Sequence, residues 1–587
     1  VTMKSQHTAT VWRRTRRLAV LMSVVVLAAC NPGTPAQRDA KIFEPRGAAD
    51  TFSNKDFQAL SPEQQYRVAN RLLTTVFRGV PVDEFFDLSN GLTPLQPRQP
   101  NFLSDTRHAL STPLAPAQRA AVRKAIGLNT DDTPTGDADA LYAFHTSNND
   151  ISTRRHVQVP LAQINEFLLS RDLYVEWMAY FLANTIMFSP ALEMESTDAK
   201  DAAFVYNFLR NRIRDGDSVR EIIRAFLGSQ SRWRVSRSAE NHALEAYELY
   251  LGLFDTEEDS RRGGLACRDW RLTSESAQYQ LVRSGEPNQE YQKILGNYYV
   301  RDCNDLYDVI VSHPLFMPRV TEVIVNYLLA GQTATERLNF VAAVMAAEPQ
   351  TFEDIFTAIL FSEQYLLHTE RPLWFEENLF GTLHRLRWSI ERNQWPIGQS
   401  ILRDMQEYTG SDLYQGKMGS AAMEYKIGRT PDVPMDALSF ASHSKAMRER
   451  VLVNRGGWEG GTWNSNESEY RGLFLEGAPH SEQADERTTR VRPAVEALDA
   501  GEYIDYLFLS ALMRRATDTE RSAIIHIMRS DDDTEGRNQI YFDHAENRLR
   551  VRSSRWNYSD VAFVVMDYIS RLPETYYLVR PREEIPG

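Results

Sequence analysis

Apolar residues recur along most of this chain at helical rather than strand spacing. Ser61-Pro62-Glu63-Gln64 has the form of a capping box with proline at the first helical position. Val68, Leu72, Leu73 and Val76 then follow on one helical face, and Gly79 and Pro81 close the segment. Similar periodicity predicts helices over about 160–188, 197–213, 217–228, 239–254, 318–330, 334–347, 352–367, 433–449 and 503–516. Alternation of period two is rare. Its best instance is Gln539-Ile540-Tyr541-Phe542 followed by Arg548-Leu549-Arg550-Val551-Arg552, a hairpin with 543–547 as its turn. The expected fold class is therefore mainly α: a multi-lobed helical protein with a duplicated helical unit and at most a small β-hairpin.

The duplication rests on one phrase. Thr333-Ala334-Thr335-Glu336-Arg337 and Thr517-Asp518-Thr519-Glu520-Arg521 each follow a helical pattern, and in each a threonine stands three residues before a glutamate. That spacing lets the hydroxyl cap the new helix while the carboxylate reaches back to the cap nitrogen. An aromatic and acidic helix start follows each copy, at Phe352-Glu353-Asp354-Ile355 and at Tyr558-Ser559-Asp560-Val561. A third, partial copy runs from Val219-Arg220-Glu221-Ile222 to Ser229-Gln230, and ordinary amphipathic similarity accounts for it as well as descent does. Tyr298-Tyr299 and Tyr576-Tyr577 read as helix-packing aromatics. Arg154-Arg155-His156 and Arg232-Trp233-Arg234 read as solvated patches or partners for nearby acids.

The beginning of the chain is patterned differently. Arg13-Arg14-Thr15-Arg16-Arg17 precedes the apolar run 18–29, which ends Leu27-Ala28-Ala29-Cys30. A basic cluster, a short apolar core and small residues make a secretory signal too short to span a bilayer as a mature helix. The last four residues resemble a bacterial lipobox. The resemblance implies cleavage before Cys30, lipidation of its thiol and a membrane anchor without a spanning helix. Asn31 after that cysteine resembles an outer-membrane sorting signal. Residues 1–29 are then the signal peptide and 30–56 a tether. The expected body divides into 57–270, a helical domain; 271–372, a central helical unit; 373–500, a helical and irregular region; and 501–587, a C-terminal helical unit.

Charge narrows the partners. The net charge is −13, and residues 1–29 carry Lys4 and four arginines without an acid, so removing those five positive charges leaves −18. An acidic body argues against nucleic acid, which needs surplus Lys and Arg. Besides Cys30 there are only Cys267 and Cys303. An even pair in an oxidising compartment points to a disulfide, with two free buried thiols as the competing reading.

Candidate chemistry is sparse. No nucleophile elbow, HExxH, phosphate loop or haem-attachment motif stands in the chain, so neither a metal nor a cofactor is expected. The loop Arg455-Gly-Gly-Trp458-Glu459-Gly-Gly-Thr462-Trp463-Asn464 is the most distinctive candidate. Trp458 and Trp463 have the rings to stack on a sugar, and Glu459 and Asn464 the polar groups to bond its hydroxyls. An irregular connection pinned by two tryptophans explains the same residues. The Thr-x-Thr-Glu-Arg phrases, and Tyr247-Glu-Leu-Tyr-Leu251-Gly-Leu-Phe254 before Cys267, resemble exported helical bacterial families of unknown function that accompany cytochrome-type domains. The second cysteine and the histidine of their haem motif are missing here. The resulting expectation is an envelope lipoprotein acting as a noncatalytic scaffold, with envelope proteins as partners. The alternative is a glycan-binding or glycan-processing protein that uses the Gly/Trp loop.

Overall fold

A computed structural model describes residues 51–125, 164–187, 199–386, 495–529 and 539–578, apart from a few positions inside those ranges. Among the described residues the fold is mainly helical, and strands form only short two-stranded ladders. The buried apolar side chains join into one connected cluster that runs from Phe52 to Tyr576.

The helices are α1 (Asn54–Gln58), α2 (Pro62–Thr75), α3 (Phe102–Ser111), α4 (Pro116–Ala125), α5 (Arg171–Asn184) and α6 (Ala199–Asp215). Next come α7 (Val219–Leu227), α8 (Gln230–Ser236), α9 (Ala239–Leu251), α10 (Glu257–Ala266), α11 (Cys303–Ser312) and α12 (Phe316–Leu328). The remainder are α13 (Ala334–Ala346), α14 (Phe352–Leu360), α15 (Phe375–Arg385), α16 (Ala500–Leu512), α17 (Asp518–Met528) and α18 (Arg555–Ile569). α2 starts as its sequence predicts: Ser61 accepts from the Gln64 amide, Gln64 answers on the Ser61 amide, and Pro62 occupies the first turn.

Both copies of the Thr-x-Thr-Glu-Arg phrase fold alike. Thr333 and Thr517 accept from the amides of Glu336 and Glu520, and each glutamate returns a bond to its cap amide. The arginine that follows folds back over the turn. Arg337 donates to Asn326 Oδ1 (2.9 Å) and to the carbonyls of Ala330 and Gln332 (3.1 and 2.5 Å). Arg521 donates to both Asp505 oxygens (3.0 Å each) and to the Ala516 carbonyl (3.1 Å). Gln332 and Ala516 stand at the same place in their turns, five residues before the arginine. The shared phrase is thus a helix–turn–helix lock, in which cap and arginine satisfy the donors and carbonyls that a turn exposes.

The third copy is closer than amphipathic likeness requires. α7 and α14 are both nine residues long and both start from a capping box, Ser218 with Glu221 and Thr351 with Asp354. Val219, Ile222, Ile223, Phe226 and Leu227 are buried, and so are their counterparts Phe352, Ile355, Phe356, Ile359 and Leu360. Ser229 and Ser362, in the same register, each accept from the amide three residues on. The two helix starts also meet, through a bond from the Val219 amide to the Gln350 carbonyl (2.9 Å).

Several expectations change. The helix predicted over 352–367 stops at Leu360 and resumes as a wider π-turn over Gln364–His368. The one predicted over 503–516 starts three residues earlier and ends at Leu512, with Met513 in the left-handed region at φ 59°. Tyr558 lies inside α18 rather than at its start. Tyr298 and Tyr299 are not on a helix. They belong to a strand, Tyr298–Val300, which pairs with Gln292–Ile294. Tyr576 closes a 3-10 turn and Tyr577 starts a two-residue strand that pairs with Arg371–Pro372. Arg232 is 1 % exposed and ion-paired to Glu245 (2.6 Å), so it is no solvated patch. The hairpin near the C-terminus forms where expected, Ile540 against Val551 to Asp543 against Arg548, so Asp543 belongs to the strand rather than to the turn. The predicted helix 433–449 and the Arg154-Arg155-His156 cluster lie outside the described residues.

Candidate functional site

Of the residues singled out for chemistry, Cys30, Trp458, Glu459, Trp463 and Asn464 lie outside the described residues. Cys267 and Cys303 are bonded to each other, with their Cα atoms 4.6 Å apart. Cys267 caps the end of α10 and Cys303 opens α11, so the bond ties the ends of two helices and leaves two hairpins looped between them. Those hairpins pair Trp270–Glu275 with Gln278–Arg283, and Gln292–Ile294 with Tyr298–Val300.

Beside the disulfide lies a buried polar chain. Trp233 donates its indole N–H to the Tyr307 hydroxyl (2.9 Å), and that oxygen is 3.1 Å from His242 Nε2 and 3.3 Å from Cys303 Sγ. His242 Nδ1 is 3.0 Å from Ser236 Oγ, and its ring stacks on Trp233 at 4.4 Å between centroids. Burial, and then the nearby Arg232 charge, push His242 well below its usual range, so the ring is neutral. A neutral ring donates through one nitrogen and accepts through the other, so one of the Tyr307 and Ser236 hydroxyls can donate to it. This chain is internal: Trp233, His242 and Tyr307 are all buried.

The described charges concentrate where the repeated units meet α2. Arg371 and Glu377 form a fork-to-fork ion pair at 2.8 and 2.5 Å, with both side chains at most 2 % exposed. Arg371 also donates to the Tyr365 hydroxyl (3.3 Å). Arg71 on α2 donates to the carbonyls of Tyr365 (2.8 Å) and Thr369. Arg385 donates to the Ser510 and Ala511 carbonyls at the end of α16 and to Thr74 and Thr382. Its guanidinium sits at a helix C-terminus, where the peptide dipole favours a cation. Burial without a carboxylate still pulls it down to about 10. Just past the end of α16, Arg514 is gripped by Glu520 and Glu574. These two carboxylates, against the cost of burial, hold Arg514 above its ordinary value. Between these groups lies a cleft lined by Arg67, Arg71, Met513, Arg514, Glu574 and Tyr577, with room for about one water-sized group.

A second buried carboxylate, Glu176 on α5, accepts from the Tyr206 hydroxyl of α6 and lies 4.0 and 3.7 Å from Arg210 and Arg214. In each of these clusters the charges close on other residues of the same body. Sequence reasoning missed them because many of the partners are far apart in the chain, as Arg71 is from residues 365 and 369 and Arg385 from 510 and 511. Even Arg371–Glu377 and Arg514–Glu520, six residues apart, lack a helical spacing that would announce them. Lone arginines on apolar helix faces were the only signal.

Compared with protein-family models, with curated proteins and with solved structures, the chain matches none. Among the described residues no group of three or more His, Cys, Asp or Glu stands close enough to hold a metal ion, and no helix is long and apolar enough to cross a membrane.

Proposed function

We propose that this chain is a membrane-anchored envelope lipoprotein, held by Cys30, whose helical body is a noncatalytic scaffold for other envelope proteins. The observation that carries the reading is the use made of the buried charges. A catalytic group of shifted acidity faces a substrate-sized space. Here Glu176, Arg371, Glu377, Arg385, Arg514 and Glu520 instead close on other groups of the same chain. The repeated, capped helical unit supports the reading as well. The disulfide between Cys267 and Cys303 is in keeping with an oxidising compartment.

The test is crosslinking of the full lipoprotein in its own envelope, followed by capture, with Cys30→Ala as control. A discrete protein partner that is lost in the control is the expected result. A Cys30→Ala chain that still fractionates with membranes refutes the anchor, and capture of no protein partner refutes the scaffold.

A further inference from the structure

The hairpin between the disulfide cysteines carries two of the most exposed aromatic side chains among the described residues, Tyr291 at 65 % and Tyr299 at 60 %. Its two faces are unlike. Ile294 and Val300 point inward and are fully buried, and Tyr298 leans on His313 at 5.4 Å between centroids. Lys293 and Tyr299 are directly paired across the strands on the outer face. Tyr291 stands immediately before the first strand and Arg301 immediately after the second, and all four side chains are exposed. The hairpin and its two flanks thus present two phenol rings and two cations to solvent.

Those cations have no carboxylate partner among the described residues, although the chain holds 79 acidic residues against 66 basic ones. By contrast, Arg261 and Arg262 on α10 both pair with Glu258. The backbone beneath the face is fixed at several points. Arg262 donates to the Lys293 carbonyl (3.0 Å), Asn288 to the Arg301 carbonyl (3.0 Å), and the Arg301 amide to Asp305 (2.9 Å). Cys303, two residues past Arg301, is bonded to Cys267. The strands are held while their outer side chains are left to the solvent, the arrangement of a rigid recognition surface.

We propose that this face binds an anionic glycan, with Tyr291 and Tyr299 stacking on sugar rings and Lys293 and Arg301 pairing with the acidic groups of the polymer. Exposed flat rings suit the apolar faces of sugars. The unpaired cations select an acidic chain over a neutral one. A polymer lying flat across the hairpin meets all four groups. This inference goes beyond the scaffold reading and does not depend on Cys30.

The test is affinity electrophoresis of the full chain through gels containing polygalacturonate, neutral dextran or polyglutamate. Variants are Tyr291→Ala with Tyr299→Ala, and Lys293→Gln with Arg301→Gln. All four side chains are exposed, and unchanged circular dichroism and melting show that the fold is kept. The expected result is retardation by polygalacturonate and not by dextran, weakened about tenfold by the tyrosine pair. The charge pair is expected to remove its salt dependence. Mobility unaffected by polygalacturonate overturns the proposal, as does retardation that both double variants leave unchanged. Equal retardation by polyglutamate, insensitive to the tyrosine changes, marks the face as a contact for acidic protein and also overturns it.

Discussion

Removing one partner of the Arg371–Glu377 pair tests how far a buried charge pair stabilises this fold. Both side chains are withdrawn from water and joined by two parallel bonds. Two unit charges about 4 Å apart attract by roughly 4 kcal/mol at an effective dielectric of about 20. Breaking such a pair leaves the survivor uncompensated, at a typical cost of about 3–5 kcal/mol. Glu377→Gln, which preserves shape, is therefore expected to destabilise the chain by about that amount. Arg371→Met leaves Glu377 buried alone, and that carboxylate evades the penalty by taking up a proton. Its cost should accordingly be small at pH 4 and grow as pH rises above the ordinary carboxylate range. Arg371 Nε finds no hydrogen-bond partner, so the pair is itself imperfectly satisfied. Arg371→Met with Glu377→Leu should then cost far less than the sum of the single changes. The assay is urea unfolding followed by tryptophan fluorescence, since Trp177 and Trp233 are buried in the same connected core. Single changes that each cost less than about 1 kcal/mol, or a double variant as unstable as the sum, refute the reasoning.

Other outcomes follow from the same contacts. Cys267→Ser with Cys303→Ser opens a loop of 36 residues' separation and should cost about 4 kcal/mol in the chain-entropy model, read as the shift of the unfolding midpoint. Two arginine bonds, assisted by the Thr517 cap, hold Glu520 at about 2 against the cost of its burial. Stability from this group is complete above about pH 4.5 and fades as pH falls towards 2, and Arg514→Met should flatten that part of the acid-unfolding profile. His242 is held neutral when folded but takes a proton near pH 6.5 when unfolded, so stability drains as pH falls below that point. His242→Gln should remove this slope, and an unchanged slope counts against the neutral ring. Gly331 lies against the Glu370 backbone with no room for a Cβ, so Gly331→Ala should cost about 1–3 kcal/mol by thermal unfolding, whereas open Gly216→Ala strains only its own backbone.

Much of the fold was legible because its signals are local. A threonine three residues before a glutamate makes its capping box whatever the surroundings, and Thr333 and Thr517 both do so. The stripe of five apolar residues on α7 and α14 follows from helical periodicity in the same way. Even the Cys267–Cys303 bond was within reach, since the chain has three cysteines and the expected role of Cys30 left these two to pair. The hairpins between them were not, because they carry mixed polar sequence and gain their order from anchors such as Arg262, Asn288 and Asp305. The same lack of local signal made Tyr298 and Tyr299 read as helical.

The sequence by itself determined the helices, their caps and the duplicated turn, since each depends on residues within a few positions of one another. Tertiary structure decided which charges meet. Arg71 finds its carbonyl partners almost three hundred residues away, and Arg385 closes on the end of α16. It also decided which side chains are left facing water, among them Tyr291, Lys293, Tyr299 and Arg301 on and beside one hairpin. Exposure and pairing depend on what the rest of the chain places nearby, and no local pattern of residues carries that information.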